Sequence, residues 1–262
     1  MQKVYLATSM KGAACGTPNV IYEVSKEVTS KNWQYGCTNL GDVLFTRKGI
    51  WPVRLFEGQI LGDFKNDDDL MVFKKVFIEK ELPLVDAFEP NGQKILEQIN
   101  RLLNIDLGKP GASYEAISNL VNEHLGILSR FGRVPRVTLE IVDDLEEVED
   151  ILDKTKNSRA WSRAVTAMNE SIKYNNDRKR AYKVASGATW DILAEKYWTR
   201  SDMVVQLLLD SCNSAAHLSV EDLVGFQNPW KPLVEIWEMG ACPLGIVGGK
   251  FFVYQKEKGA KW

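Results

Sequence analysis

The hydrophobic period of this chain changes across Glu81-Leu82-Pro83-Leu84, and no other feature constrains its fold as strongly. Before that point lie short runs rich in Val, Ile, Tyr and Phe: Lys3 to Thr8, Val20 to Val28, Val53 to Ile60 and Leu70 to Ile78. The stretches between them, Gly12 to Asn19, Lys48 to Pro52 and Gly62 to Asp69, hold the Gly, Pro, Asn and Asp of turns. Beyond it the apolar residues return at helical spacing. Gly92 to Asn104 carries Ile95, Leu96, Ile99, Leu102 and Leu103, and Ser113 to Arg130 carries Ile117, Leu120, Val121, Leu125 and Leu128. Ser113 is the expected N-cap of the second helix, and Asn104 to Gly111 the loop before it. Because a strand and a helix bury faces of different period, the two stretches must be built differently.

Farther along, Val137 to Val142 reads equally as a short strand or as the lead-in to an acidic helix, Asp143 to Lys156. From Ser158 the helices become rich in Ala and Trp, with a stripe of Trp161, Val165, Met168 and Ile172 and a following helix containing Tyr182, Trp190, Leu193 and Tyr197. Ser201-Asp202 opens another over Met203 to Asn213, and Ser219 with Asp222 signals a short one. Asn228-Pro229-Trp230 opens a final helix that Gly240 closes. Leu244 to Val247, a Gly248-Gly249 turn and Phe251 to Tyr254 read as a hairpin. The expected fold class is α+β: a mainly antiparallel β domain over residues 1–88, then a mainly helical domain over 89–262 that ends in the β-hairpin.

Composition narrows the chemistry. The chain is 45% hydrophobic and 26% charged, as ordinary globular proteins are, with a formal net charge of -2 that gives no bulk attraction to nucleic acid. By segment the charge is uneven: zero over 1–88, -5 over 89–157 and +3 over 158–262. Only His124 and His217 are available as imidazoles, too few for a His-rich zinc site, and no metal is expected. His124, beside Asn122 and Glu123, reads as lying near the exposed side of its helix, and His217 as a capping residue near a helix end. Cys15, Cys37, Cys212 and Cys242 form no CxxC pair and read as reduced, buried thiols; with no signal peptide at the start, a secreted location is not expected. Met203 to Leu209 is too short a run to span a membrane.

Several catalytic and binding signatures fail on spacing. Only three residues separate Gly245 from Gly249, Lys250 is followed by Phe251, and a strand rather than a helix comes next, so no phosphate loop is present. The acids of Asn66-Asp67-Asp68-Asp69 are consecutive instead of alternating, which suits a solvated hairpin tip rather than a calcium loop. If the chain is an enzyme, its candidates are Cys37, in the turn-like Tyr35-Gly36-Cys37-Thr38-Asn39, and the paired acids Glu79 and Glu81 at a strand end. If it binds nucleic acid, Arg178, Lys179 and Arg180 are the candidates, although a solvated face is the ordinary role of such a run.

A family resemblance bears on the same residues. Val4-Tyr5, Tyr22-Glu23-Val24, Gly36-Cys37 followed by Asn39-Leu40 and Val43-Leu44, Arg54 to Glu57 with Gly62, and Val76 to Leu84 resemble a small domain of uncharacterised bacteriophage and prophage proteins. Those proteins are often followed by Ala/Trp-rich helices, as at 158–198, and by a segment similar to Asn228 to Tyr254. The resemblance brings no activity and no cofactor. It implies a virion component or a host-directed accessory factor, located in the virion or host cytoplasm, that works through a protein partner or as a homo-oligomer. The strand order is also similar to that of an ADP-ribosyltransferase core, in which a first strand supplies Arg or His, a second Ser-Thr or Tyr, and a late one Glu. Lys3 to Thr8 has neither Arg nor His, no Ser-Thr-Ser follows, and only Glu79 or Glu81 stands for the acid, so an enzyme of that kind is expected to be degenerate. A small-molecule or nucleic-acid binding accessory role is the remaining alternative.

Overall fold

Strands fill the chain up to Leu82 and helices dominate after it. A computed structural model describes residues 2–15, 17–47, 49–67, 69–106, 112–155, 159–197 and 201–256, which fall into two compact units, Met1–Gln93 and Lys94–Trp262. The first unit holds β1 (Gln2–Ser9), β2 (Ala13–Ala14), β3 (Thr17–Ile21), β4 (Glu27–Cys37), β5 (Val53–Ile60), β6 (Phe64–Asp67) and β7 (Leu70–Leu82), with every pairing antiparallel. β1 runs along the whole of β5, from Gln2 opposite Ile60 to Ser9 opposite Val53. β5 pairs with β7, β7 with β4, and β4 returns to β1 where Cys37 faces Tyr5. Four strands therefore close a ring, and closure satisfies backbone groups that an open sheet would leave at its edges.

Residues from these strands meet inside: Val4, Leu6, Phe56, Ile60, Met71, Phe73, Val76 and Ile78, with Tyr22. The buried Tyr22 hydroxyl donates to Gln34 Oε1 at 2.8 Å and Gln34 Nε2 donates to the Lys74 carbonyl at 2.9 Å, so the buried Gln34 amide is satisfied. Gly36 lies where β4 meets β1. A Cβ there would come within 2.4 Å of the Val4 side chain and 2.7 Å of the Tyr5 carbonyl oxygen, so the ring closes only around a residue without one.

The strands depart from the sequence reading in four ways. The strand expected over Val20 to Val28 is broken in two, because the chain turns after Ile21 with Ser25 at φ 63° before β4 begins. β4 then continues to Cys37, with a register shift between Thr29 and Gln34 that removes the intervening residues from the ladder. Inside that irregularity the Ser30 hydroxyl accepts the Asn32 amide at 3.1 Å. β2, β3 and β6 occupy stretches that read as turns, and β7 runs past Ile78 to Leu82. Of the tip expected at Asn66 to Asp69, Asp68 lies outside the described residues. So do residues 107–111 of the loop after Asn104, and Lys156, the last residue of the expected acidic helix.

The second unit is built from α1 (Gly92–Leu103), which starts just before its boundary, and from α2 (Tyr114–Leu128), α3 (Leu145–Lys154), α4 (Arg159–Ser171), α5 (Asn176–Tyr197), α6 (Ser201–Ser219) and α7 (Lys231–Glu238). A three-stranded sheet joins them, in the order β8 (Thr138–Val142), β10 (Lys250–Tyr254), β9 (Cys242–Val247). Ser113 caps α2 by accepting the Ala116 amide, and Asp144 caps α3 by accepting the Glu146 amide. Val137 to Val142 resolves as a strand because β8 pairs in parallel with β10, a partner far along the chain that local periodicity cannot see. The hairpin turns at Gly248-Gly249 as expected.

α6 is the central helix. Leu207, Leu208, Asp210, Ser211, Ala215 and Ala216 are all buried, which places its polar residues in the interior along with its apolar ones. The short helix expected from Ser219 is absent: Ser219 is instead the last residue of α6, its hydroxyl donating to the Ala216 carbonyl at 2.7 Å. Among the described residues the apolar core of this unit includes one cluster around Trp230, Met168 and Phe251 and one around Trp237, Leu207 and Tyr254. Among the described residues, no helix is long and apolar enough to cross a membrane.

Candidate functional site

The residues nominated from sequence are dispersed. Cys37 ends β4 as a buried strand residue rather than sitting in an exposed turn, and burial, with Asp42 and Asp69 adding to it, pushes its thiol up to about 12. A thiol so poorly ionised is a weak nucleophile. Cys37 pairs with Leu70 at one end of β7, whereas Glu79 and Glu81 lie at the other, so the three do not converge. Arg54 grips Glu81 with two hydrogen bonds, Nε at 2.8 Å and Nη2 at 2.6 Å, and holds its carboxyl below the usual carboxylate range. Glu79 accepts from Gln59 Nε2 at 3.3 Å. Among the described residues, no group of His, Cys, Asp and Glu is arranged to hold a metal ion.

The basic run is divided in the same way. Arg178, in the first turn of α5, is engaged by both Asp222 carboxylate oxygens at 3.0 and 2.6 Å and by the Ser219 carbonyl at 3.2 Å. Lys179 faces solvent, and Arg180 is half-buried. A phosphate approaching this turn meets Asp222 beside the first guanidinium, a poor electrostatic start.

Two other places in the molecule are more distinctive. In the first unit, β2 and β3 form a flap beside the end of β1, and β3 is the outermost strand of the sheet. Its last residue, Ile21, is 53% exposed, with Met10 in the preceding turn at 59% and Val24 in the following one at 44%. A Cβ at Gly12 would touch the Ile21 side chain at 3.4 Å, so the turn that follows Met10 packs against Ile21 at one end of the flap.

In the second unit, a cavity of about 70 Å³ lies between α2, α4, α6, α7 and the β9–β10 hairpin, with walls that include Leu125, Leu128, Trp161, Leu233, Leu244 and Phe251. Two buried polar groups open onto it, His124 from α2 and Asp210 from α6. His124 is 5% exposed, not on the outer face expected of it. Its Nδ1 lies 2.7 Å from the Pro229 carbonyl, which can only accept, so Nδ1 carries the proton and Nε2 presents a lone pair. Burial lowers the imidazole to about 4. Asp210 is fully buried and accepts from Trp237 Nε1 and Gln206 Nε2, each at 3.0 Å. Burial raises its carboxyl to about 7 against the pull of those two donors, and no cation faces it among the described residues. A carboxyl that titrates near neutrality in an apolar pocket can hold a proton or a counter-cation. The sequence carried a signal for it: Asp210 directly follows Met203 to Leu209, a stretch that is apolar except for Gln206.

A wider cleft of about 720 Å³ opens between α1, α2 and the end of α6. Its floor is a hydrogen-bonded network: Ser214 Oγ donates to Gln98 Oε1 at 2.8 Å, Gln98 Nε2 to the Ser211 carbonyl at 3.1 Å, and Asn228 Nδ2 to the Ser214 carbonyl at 3.1 Å. On its rim Lys94 pairs with Glu221, and Arg101 with Glu238 at 2.9 Å. Opposite charges there already satisfy one another, and the network reads as a brace for three helices. His217, in the same wall, meets the Phe226 carbonyl through Nε2 at 3.1 Å, joining the last turn of α6 to the loop that follows. Comparison of the chain with models of known families, with curated proteins and with solved structures finds no match in any of the three.

Proposed function

We propose that this chain works through contact with another protein chain, as a phage-type virion component or host-directed accessory factor, and that the β2–β3 flap is the contact surface. The observation that carries the reading is the flap itself. Among the described residues β3 is paired on one side only, and it carries Ile21 exposed beside Met10 and Val24. An unpaired strand edge next to exposed apolar side chains can receive another chain, here chiefly through the apolar area it offers, since β3 is only five residues long and Pro18 has no amide to donate. The dispersal of Cys37, Glu79 and Glu81 supports binding over catalysis by those residues.

A second copy of the chain is the first partner to test, because two identical edges pair antiparallel about a two-fold axis. Light scattering over a concentration series should show an assembly larger than 29.6 kDa for the native chain and a monomer for Ile21→Glu, with unchanged circular dichroism in both. A native chain that stays monomeric at every concentration, or an Ile21→Glu variant that assembles as before, counts against the flap as the contact surface.

A further inference from the structure

We propose that the His124–Asp210 cavity is a binding site for a small organic ammonium ion, with the Asp210 carboxylate as counter-ion, His124 Nε2 as a further acceptor, and the aromatic and aliphatic walls around its carbon atoms. The proposal is independent of the flap and of any assembly.

The polar groups of the cavity fix the sign of the ligand. Asp210 has no cation beside it among the described residues, although a buried carboxylate is ordinarily found paired. Its two hydrogen bonds, from Trp237 and Gln206, each occupy one oxygen and leave further lone pairs. With its Nδ1 proton given to Pro229, the His124 ring can only accept at Nε2. Thr155, also in the wall, spends its hydroxyl proton on the Ile151 carbonyl at 2.8 Å and presents an acceptor. Gln206 gives its amide hydrogen to Asp210 and keeps its own carbonyl oxygen as an acceptor. These polar neighbours therefore ask for a donor, and the carboxylate asks for a positive charge.

The walls fix its size and remaining character. A volume of about 70 Å³ suits a head group of a few heavy atoms rather than a nucleotide or a peptide. Trp161 and Phe251 contribute ring surfaces, which attract cations through the ring quadrupole, and Leu125, Leu128, Leu233 and Leu244 suit a short alkyl part. A neutral alcohol could use the acceptors but would leave the carboxylate unpaired, and an anion would be repelled by it.

Three two-carbon probes of different charge test this on the intact chain at about pH 8, where Asp210 is mostly ionised. The readout is the Trp237 indole proton by NMR, which sits directly on Asp210. Ethylammonium should shift that resonance saturably, with a Kd no tighter than about 1 mM, the ceiling for three heavy atoms. Ethanol and acetate should leave it unmoved. Asp210→Asn, which keeps the shape and one acceptor, should weaken ethylammonium about tenfold or more, read from the Trp161 indole proton, while His124→Gln weakens it less. Saturation by ethanol or acetate as readily as by ethylammonium, or no saturable shift with any probe, overturns the proposal, and the indole readout on the native chain decides it even if a variant does not fold.

Discussion

Folding takes Asp210 out of water with hydrogen bonds from Trp237 and Gln206 but, among the described residues, no cation beside it, so between its ordinary value of 3.8 and about 7 the native chain holds a proton that the unfolded chain has released. Stability from this group therefore falls as pH rises through that window, by about 4 kcal/mol in all. His124 works in the opposite sense. The unfolded imidazole gains its proton near 6.5 and the native one only near 4, so stability from His124 falls as pH drops through that window, by about 3 kcal/mol. The windows overlap, and in the intact chain the two slopes largely cancel. Removing either group should uncover the other. Asp210→Asn should lose urea midpoint as pH is lowered from about 6.5 to 4, and His124→Gln should lose it as pH is raised from about 4 to 7. Flat profiles in both variants would falsify these assignments. The burial of His124 was legible in the sequence and obscured by its neighbours: Asn122 and Glu123 suggest an outer face, but Leu120, Val121 and Leu128, at i-4, i-3 and i+4, are the residues that share its side of the helix. Nothing local marks the Trp237 indole as the partner of Asp210, since that contact depends on α7 crossing α6.

Among the elements, those with a regular period were readable and those held by distant partners were not. β5 and the final helix lie where expected, β5 because its apolar residues sit between turn stretches even though its alternation is only partial, with the adjacent Leu55 and Phe56 both buried, and the helix because Asn228 and Gly240 mark its ends. β4 hides its period behind the irregularity at Thr29 to Gln34, and β8 exists through β10. Two substitutions address these joints. Gly36→Ala puts a methyl into the place where β4 touches β1, so it should destabilise the ring by about 2 kcal/mol, seen as a lower melting temperature with unchanged m-value in urea. Asn228 receives the amides of Trp230 and Lys231 at 3.0 and 3.2 Å and donates to the Ser214 carbonyl and hydroxyl. Asn228→Ala removes the acceptor for the two amides at the start of α7 together with the donor to Ser214 of α6, and should cost about 2 to 3 kcal/mol. A loss no larger than that of an exposed alanine substitution, such as Asn100→Ala, would show that water replaces the amide.

For the whole molecule, the four thiols divide evenly, Cys15 and Cys37 in the first unit and Cys212 and Cys242 in the second. All are buried; burial pushes Cys212 up to about 11 and Cys242 well above the ordinary thiol range. A thiol reagent should therefore label none of them in the native protein and all four in guanidinium, and identifying which pair labels first in a denaturant series reports which unit opens first. Rapid labelling of Cys37 under native conditions would contradict its placement at the end of β4. The ladders also set an order in time. Every strand of the closed ring lies at or before Leu82, so the ring has all its partners once that much chain has left the ribosome. β8 is placed differently: its neighbour β10 ends at Tyr254, so Thr138 to Val142 must wait through the synthesis of α3 to α7 before it can pair. During translation the nascent chain thus carries a finished ring ahead of a stretch of helices whose sheet is still unmade, and a chaperone would find its work in the second unit.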